Sequence, residues 1–209
     1  MIWKGIFKMK FIGLVGTNSS RSTNRDLLNF MKNFFASEAE IELVEITGLP
    51  LFNKPEDYEL PEKVKRIAEK IEEADGVIIS TPEYDHAVPA SLINALNWLS
   101  YGIFPFVDKP VMITGASYGT LGSSRAQAHL RQILDSPELK ARIMPSSEFL
   151  LGHSLQAFDE QGRLKEEEQV KKLRELFSDF LLFVTITSQL QHAHQANKRE
   201  AENFSWETI

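Results

Sequence analysis

The chain has 209 residues, enough for one well-buried domain and short for two. Its 29 acidic against 23 basic residues leave a net charge of −6, which argues against a nucleic-acid partner, since neutralising phosphates needs clustered Lys and Arg. The sequence has no cysteine, which excludes disulfides, thiolate metal sites and thiol nucleophiles, so any redox chemistry must come from a bound cofactor.

The opening segment carries lysines and apolar residues but no A-x-A cleavage site. No stretch approaches the ~20 apolar residues of a membrane span, so the expected location is the cytoplasm, with no membrane partner. Lys10 to Val15 reads as a core strand. Arg25 to Ser37 reads as a helix with Leu27, Leu28, Met31, Phe34 and Phe35 on its apolar side. Ile41 to Ile46 is a second strand, and a loop with Pro50, Pro55 and Pro61 leads to a helix over Pro61 to Glu73. Gly76 to Ser80 is a short continuous apolar run of the kind buried on both faces, so it belongs at the centre of a sheet.

Pro89 opens a helix carrying Leu92, Ile93, Leu96 and Leu99. Pro110 to Thr114 is the next strand, Arg125 to Leu134 the next helix, Arg142 to Phe149 a fifth strand, and Lys165 to Val184 a last helix. Strands and helices that alternate from end to end predict an α/β fold with a parallel sheet. The expected organisation is an N-terminal extension over residues 1–9, one domain over 10–184, and a polar tail over 185–209 that is either a helical extension or partly disordered.

Three loops leave strands at the carboxyl edge of such a sheet, where ligands sit. Gly16 to Asn24 is a turn of small hydroxyl residues before a helix, offering free backbone N–H groups, side-chain donors and the positive end of the helix dipole. That is a cradle for a phosphate, although Thr23 or Asn24 could simply cap the helix. The turn has neither the G-x-x-x-x-G-K-S/T frame of a P-loop nor a G-x-G-x-x-G fingerprint. Arg21 and Arg25 supply its basic residues. Thr81 to His86 sets an aromatic ring beside a proline, and Gly115 to Gly122 is a glycine-rich backbone that a flat ligand can approach. Together the loops describe a pocket for a phosphorylated aromatic cofactor.

The same segments resemble the NADPH-dependent FMN reductases. Gly16-Thr-Asn-Ser-Ser-Arg-Ser-Thr-Asn-Arg25 is similar to the family pattern G-S-x-R-x-x-S-x-N-R. Thr81-Pro-Glu-Tyr-Asp85 with Pro89 to Trp98 is similar to T-P-E-Y-N followed by P-x-x-L-K-N-A-I-D-W, and Ser117 to Ala126 to S-x-G-x-x-G-G-x-R-A. The resemblance implies a flavodoxin-like, doubly wound sheet of five parallel strands in the order 2-1-3-4-5. It also implies an FMN cofactor with NADPH or NADH as co-substrate, and hydride passed to a small acceptor (free flavin, quinone, azo compound or metal oxyanion) in a ping-pong cycle. By the same resemblance Thr17, Ser19, Arg21, Ser22, Thr23 and Asn24 hold the phosphate, and Pro82, Glu83, Tyr84 and Asp85 line the ribityl chain and ring. Ser117, Tyr118 and Gly119 present backbone N–H groups to the pyrimidine edge. No side-chain acid or base and no metal is required, and the assembly implied is a homodimer or homotetramer.

Two positions depart from the pattern. Ser19 stands where the family commonly has Arg, with Arg21 two positions on, and Asp85 replaces the usual Asn, where a carboxylate disfavours an anionic reduced flavin. Other residues keep two readings open. His86 either donates to a substrate or is a surface residue, and Trp98 is either core or part of a dimer surface. His192 and His194 are two apart and diverge on a helix, so they make a poor metal pair. Glu166 to Glu168 reads as a solvated helix start. A flavodoxin-type electron carrier with a protein partner is the alternative function.

Overall fold

The computed structural model describes residues 8–145 and 148–203. The expectations for residues 1–7 and 204–209 lie outside the described residues.

Strand β1 (Met9–Val15) sits between β2 (Ala39–Glu45) and β3 (Gly76–Ser80), and β3 pairs with β4 (Pro110–Ala116), all in parallel. β3 and β4 are buried along their whole length, as expected of near-continuous apolar strands covered on both faces. β2 instead alternates, with Glu40 and Glu42 exposed, and these charges blunt the free edge of the sheet.

The period of two in each strand sorts the core into two layers. Ile12 and Leu14 of β1, with Val77, Ile79, Val111 and Ile113, pack under α2 (Glu62–Glu73), α3 (Ala90–Trp98) and α4 (Ser124–Leu134). Phe11 and Val15, with Ile78 and Met112, face α1 (Thr23–Phe34) and α5 (Glu167–Thr187). On that second face Phe35 stacks on Phe177 at 3.9 Å, and Phe11 meets Phe177 and Phe180 at 6.0 and 5.1 Å. Each such buried ring stabilises the fold by about 1.5–3 kcal/mol. The sheet is therefore doubly wound. Helix α1 begins at Thr23, earlier than the predicted Arg25, because Ser22 caps it: its side chain accepts from the Arg25 N–H at 3.3 Å.

The predicted fifth strand, Arg142 to Phe149, is two strands. β5 (Arg142–Ile143) pairs with Pro110 and Val111, and β6 (Phe149–Leu151) pairs with Thr114 to Ala116. Both lie on the same side of β4, so the order 2-1-3-4-5 holds with its last place shared. From Ile143 to Phe149 the outer chain advances six residues while β4 advances three, from Val111 to Thr114, so the ladder cannot continue. Pro145, which has no N–H, sits within that gap.

The tail is not simply polar chain. Helix α6 (Gln191–Glu202) docks on Asp108, whose carboxylate also accepts from Arg142 Nε at 2.9 Å. From α6, Asn197 Nδ2 reaches Asp108 Oδ1 at 2.9 Å and His194 Nδ1 lies 3.1 Å from Oδ2. His194 thus belongs to this anchor, and the described residues hold no cluster suited to a metal ion; the His192 side chain lies outside the described residues. Glu166 to Glu168 are exposed at the start of α5. Among the described residues, no helix is long and apolar enough to cross a membrane.

Candidate active site

The chain leaves β1 toward β2 on one side and returns to β3 on the other, so the carboxyl ends of β1 and β3 flank the point where strand order reverses. A cleft of about 580 Å³ opens there, within the range of small-molecule and cofactor sites. Every sequence-predicted site residue lines it except Thr17.

In the first loop, Thr17 is buried under the turn and acts on protein groups. Its hydroxyl accepts from the Ser19 N–H at 3.2 Å and shares a 3.1 Å hydrogen bond with Tyr84 Oη, tying the first loop to the second. Asn24 is also committed to the fold. Its Nδ2 donates to Ala116 O at 2.9 Å, and its Oδ1 accepts from Ala116 N and Ser80 Oγ, each at 2.9 Å. The amide staples α1 to the ends of β3 and β4, which commits its oxygen and one of its two N–H donors to the fold. Arg25 likewise leaves the cradle and pairs with Glu45. The surfaces left facing the cleft are Ser19, the exposed Arg21, Ser22 at the helix cap, and Thr23.

The second loop is a two-residue hairpin. Tyr84 and Ala87 exchange both backbone hydrogen bonds, at 3.1 and 2.9 Å, around Asp85 (φ 49°) and His86 (φ 63°). Positive φ at both central residues is the type I′ geometry, which Asp and His tolerate better than most side chains. Glu83 ends up as a cap for α4 rather than only as a lining carboxylate. Its Oε2 accepts from the Arg125 N–H at 2.9 Å and the Ala126 N–H at 3.3 Å, replacing the cap that Ser123 does not provide. Oε1 lies 3.3 Å from Arg125 Nη1, and His86 Nδ1 lies 2.8 Å from the same guanidinium nitrogen and 3.4 Å from Oε1. Unprotonated, His86 accepts from Arg125; protonated, it donates to Glu83.

Burial pushes the Glu83 carboxyl up, but the Ala126 N–H, His86, the Arg125 N–H and the Arg125 guanidinium together hold it below the ordinary carboxylate range. A folded-state value depressed below the unfolded one stabilises the fold above the unfolded value, and that stability is lost as pH falls through the folded value. Glu83→Gln is therefore expected to lower the melting temperature at neutral pH while narrowing the gap to the parent at acid pH. Parallel melting curves at every pH would show that the cap is not used.

In the third loop the Ser117 N–H is spent on Leu151 O at 3.0 Å, so of the three predicted residues only Tyr118 and Gly119 keep N–H groups outside the hydrogen bonds of the described residues. Gly119 has no positive φ, and a Cβ built there meets nothing within 4 Å: its bare backbone faces open cleft. The strained glycine is Gly122, at φ 57°, where a Cβ would lie 2.6 Å from the Leu150 carbonyl carbon. Gly122→Ala is expected to lower the melting temperature by several degrees, whereas Gly119→Ala melts like the parent. Equal melting of the two would refute this assignment.

A fourth segment, which sequence reading missed, braces the first and third loops without itself lining the cleft. Ser154, fully buried, hydrogen-bonds Thr23 Oγ1 at 2.8 Å, and its N–H donates to Ser117 O at 3.0 Å, while the His153 N–H donates to Gly119 O at 3.1 Å. Gly152-His-Ser154 after the apolar β6 repeats the strand-then-hydroxyl signal of the first loop. Ala116, Thr120, Leu121, Arg125 and His86 also line the cleft.

Trp98 resolves to core. It is 3% exposed, its Nε1 donates to Pro50 O at 2.8 Å, and its ring meets Phe52 edge-on at 5.0 Å, so it offers no surface to a second subunit.

The sequence model of the NADPH-dependent FMN reductase family matches residues 9–156, which covers all three motif loops and β1 to β6. The chain belongs to this family. A relative from Vibrio ruber, NADH:(hydroxy)cinnamate reductase subunit CrdA, is 52% identical over 200 residues, covering 96% of this chain and 98% of the relative. NADH-dependent flavin reductase subunit 2 of Lactobacillus johnsonii is 41% identical, covering 84% and 97%. Among solved structures, the flavoenzyme NAD(P)H:(acceptor) oxidoreductase FerB from Paracoccus denitrificans superposes with a TM-score of 0.77 at 26% identity, covering 86% of this chain and 98% of that one. As an FMN reductase family member, the protein is an NAD(P)H-dependent oxidoreductase with FMN as its cofactor.

Proposed function

We propose that the cleft holds FMN and that the protein reduces a small acceptor (free flavin, quinone, azo compound or metal oxyanion) at the expense of NADPH or NADH, the two substrates visiting in turn. The carrying observation is the opening of the α1 N-terminus, with Ser22 at its cap, directly into a cleft whose far wall is the bare backbone of Gly119. FMN supplies the hydride exchange between nicotinamide and acceptor.

The protein's part is binding and orientation. Ser19, Ser22, Thr23 and the backbone N–H groups of the turn, with Arg21 beside them, meet the phosphate at the positive end of the helix dipole. Pro82, Glu83, Tyr84 and Asp85 form one wall. The free N–H groups of Tyr118 and Gly119 stabilise negative charge at the pyrimidine edge. Thr17, Asn24 and Ser117 support these groups from behind through the hydrogen bonds described above.

The purified protein is expected to be yellow, or to become so with added FMN, and to bleach on adding NADPH or NADH and recolour with a quinone. Calorimetry that detects no FMN binding would sink the reading. A second reading is favoured by the names of the Vibrio and Lactobacillus relatives, both of which are called subunits: the chain passes electrons to a partner polypeptide. Steady turnover by the isolated chain with NADH and a quinone supports the first reading; bleaching without turnover supports the second. A homodimer or homotetramer is proposed on family resemblance alone, and sedimentation at several concentrations tests it.

A further inference from the structure

We propose that Glu45, which lies outside the cleft at the end of β2, is a positioning residue for the phosphate end of the FMN site and acts through Arg25. The proposal rests on the FMN reading above. Arg25 Nε and Nη2 grip the two carboxylate oxygens of Glu45 at 2.5 and 2.9 Å, a bidentate fork. The same guanidinium reaches back to the phosphate turn, Nη2 donating to Ser19 O at 3.0 Å and Nη1 to Ser20 O at 3.3 Å. Its charge raises no question of release, since the hydrogen bond to Glu45, opposed by burial, raises its already high pKa.

A trans peptide plane sets the direction of the N–H that follows each carbonyl. With the Ser19 and Ser20 carbonyls held on Arg25, the N–H groups of Ser20 and Arg21 point the opposite way, away from the guanidinium. Ser19, Arg21 and Ser22 line the cleft and Arg25 does not. The clamp thus turns two acceptors toward Arg25 and the N–H of Arg21, a residue that lines the cleft, away from it. Glu45 fixes the guanidinium in a position from which it reaches both carbonyls, and it neutralises a charge that would otherwise be free to approach the phosphate directly. The turn is built to bind by the geometry of its N–H groups, with Arg21 as the cation left beside it.

The test compares FMN with riboflavin, which lacks the phosphate, by quenching of flavin fluorescence in the parent, Glu45→Ala, Arg25→Ala and the double variant, with Glu45→Gln as a shape-preserving substitute. The expected result is an FMN affinity about tenfold lower in each single variant, riboflavin affinity unchanged, and a double variant no worse than the weaker single one. Two results overturn the proposal. One is tighter FMN binding in Glu45→Ala or Glu45→Gln, which would make Arg25 a direct phosphate ligand that Glu45 holds back. The other is an FMN-to-riboflavin affinity ratio equal to that of the parent, which would make the pair purely structural. A parent that binds neither flavin refutes the functional reading itself, a result distinguishable from both.

Discussion

Ser22→Asp is expected to fold with the helical content of the parent and to bind FMN at least about a hundredfold more weakly than Ser22→Ala. The parent hydroxyl caps α1 by accepting from the Arg25 N–H, and Asp serves as well at a helix cap, so the fold tolerates the change. The cofactor does not. A carboxylate in the cradle meets a phosphate dianion, and at ~4 Å with an effective dielectric near 20 each pair of unit charges costs about 4 kcal/mol. Ser22→Ala removes one charge-assisted bond, about 1.5–3 kcal/mol of binding, and weakens the cap by about 1 kcal/mol. Circular dichroism with a flavin titration reads both quantities; parent-like FMN affinity in Ser22→Asp would move the phosphate away from this turn.

Asn24→Ala is expected to lower stability by about 3–5 kcal/mol, a large share of the 5–15 kcal/mol of an ordinary domain. The side chain is buried and makes three hydrogen bonds, to both backbone groups of Ala116 and to the Ser80 hydroxyl. Removing it strands those partners without water, at about 1–3 kcal/mol each before relaxation. The urea midpoint should fall with little change in the slope, and FMN affinity should fall with it, because the staple registers the first loop against β4. A midpoint within experimental error of the parent would show that water replaces the amide.

The difference between these two residues marks what was legible in the sequence. The strands were, because burial on both faces writes a continuous apolar run: Gly76 to Ser80 has the same ends in prediction and structure. The gathering of the three loops at one cleft was legible too, since small hydroxyl residues after an apolar strand expose N–H groups whatever the rest of the chain does. The direction of individual side chains was not. Asn24 turns inward because the Ala116 peptide lies 92 residues away in sequence and beside it in space, and Arg25 turns outward because Glu45 ends the neighbouring strand. Neither partner has any periodic relation to the loop.

Trp98 sits on a helix whose apolar face looked partly unpaired, and the loop around Pro50 and Phe52 covers it without any pattern that announces it. The split of the fifth strand had a local signal in Pro145, whereas the docking of α6, a helix the sequence left open as one reading of the tail, had none. Its docking depends on one aspartate 86 residues before His194. Helix starts were readable to within a turn, but the caps the sequence suggested for α1, Thr23 or Asn24, were each late by a residue or two, since Ser22 is the cap.

The anchoring of α6 on Asp108, just before β4 begins, places that helix at the opposite end of the strands from the cleft. Because the sequence contains no cysteine, a thiol introduced at the exposed Gln195 would be the single sulfhydryl of the molecule. Maleimide coupling there would tether every molecule to a bead or sensor chip in one orientation, with the cleft facing solution and open to nicotinamide and acceptor alike.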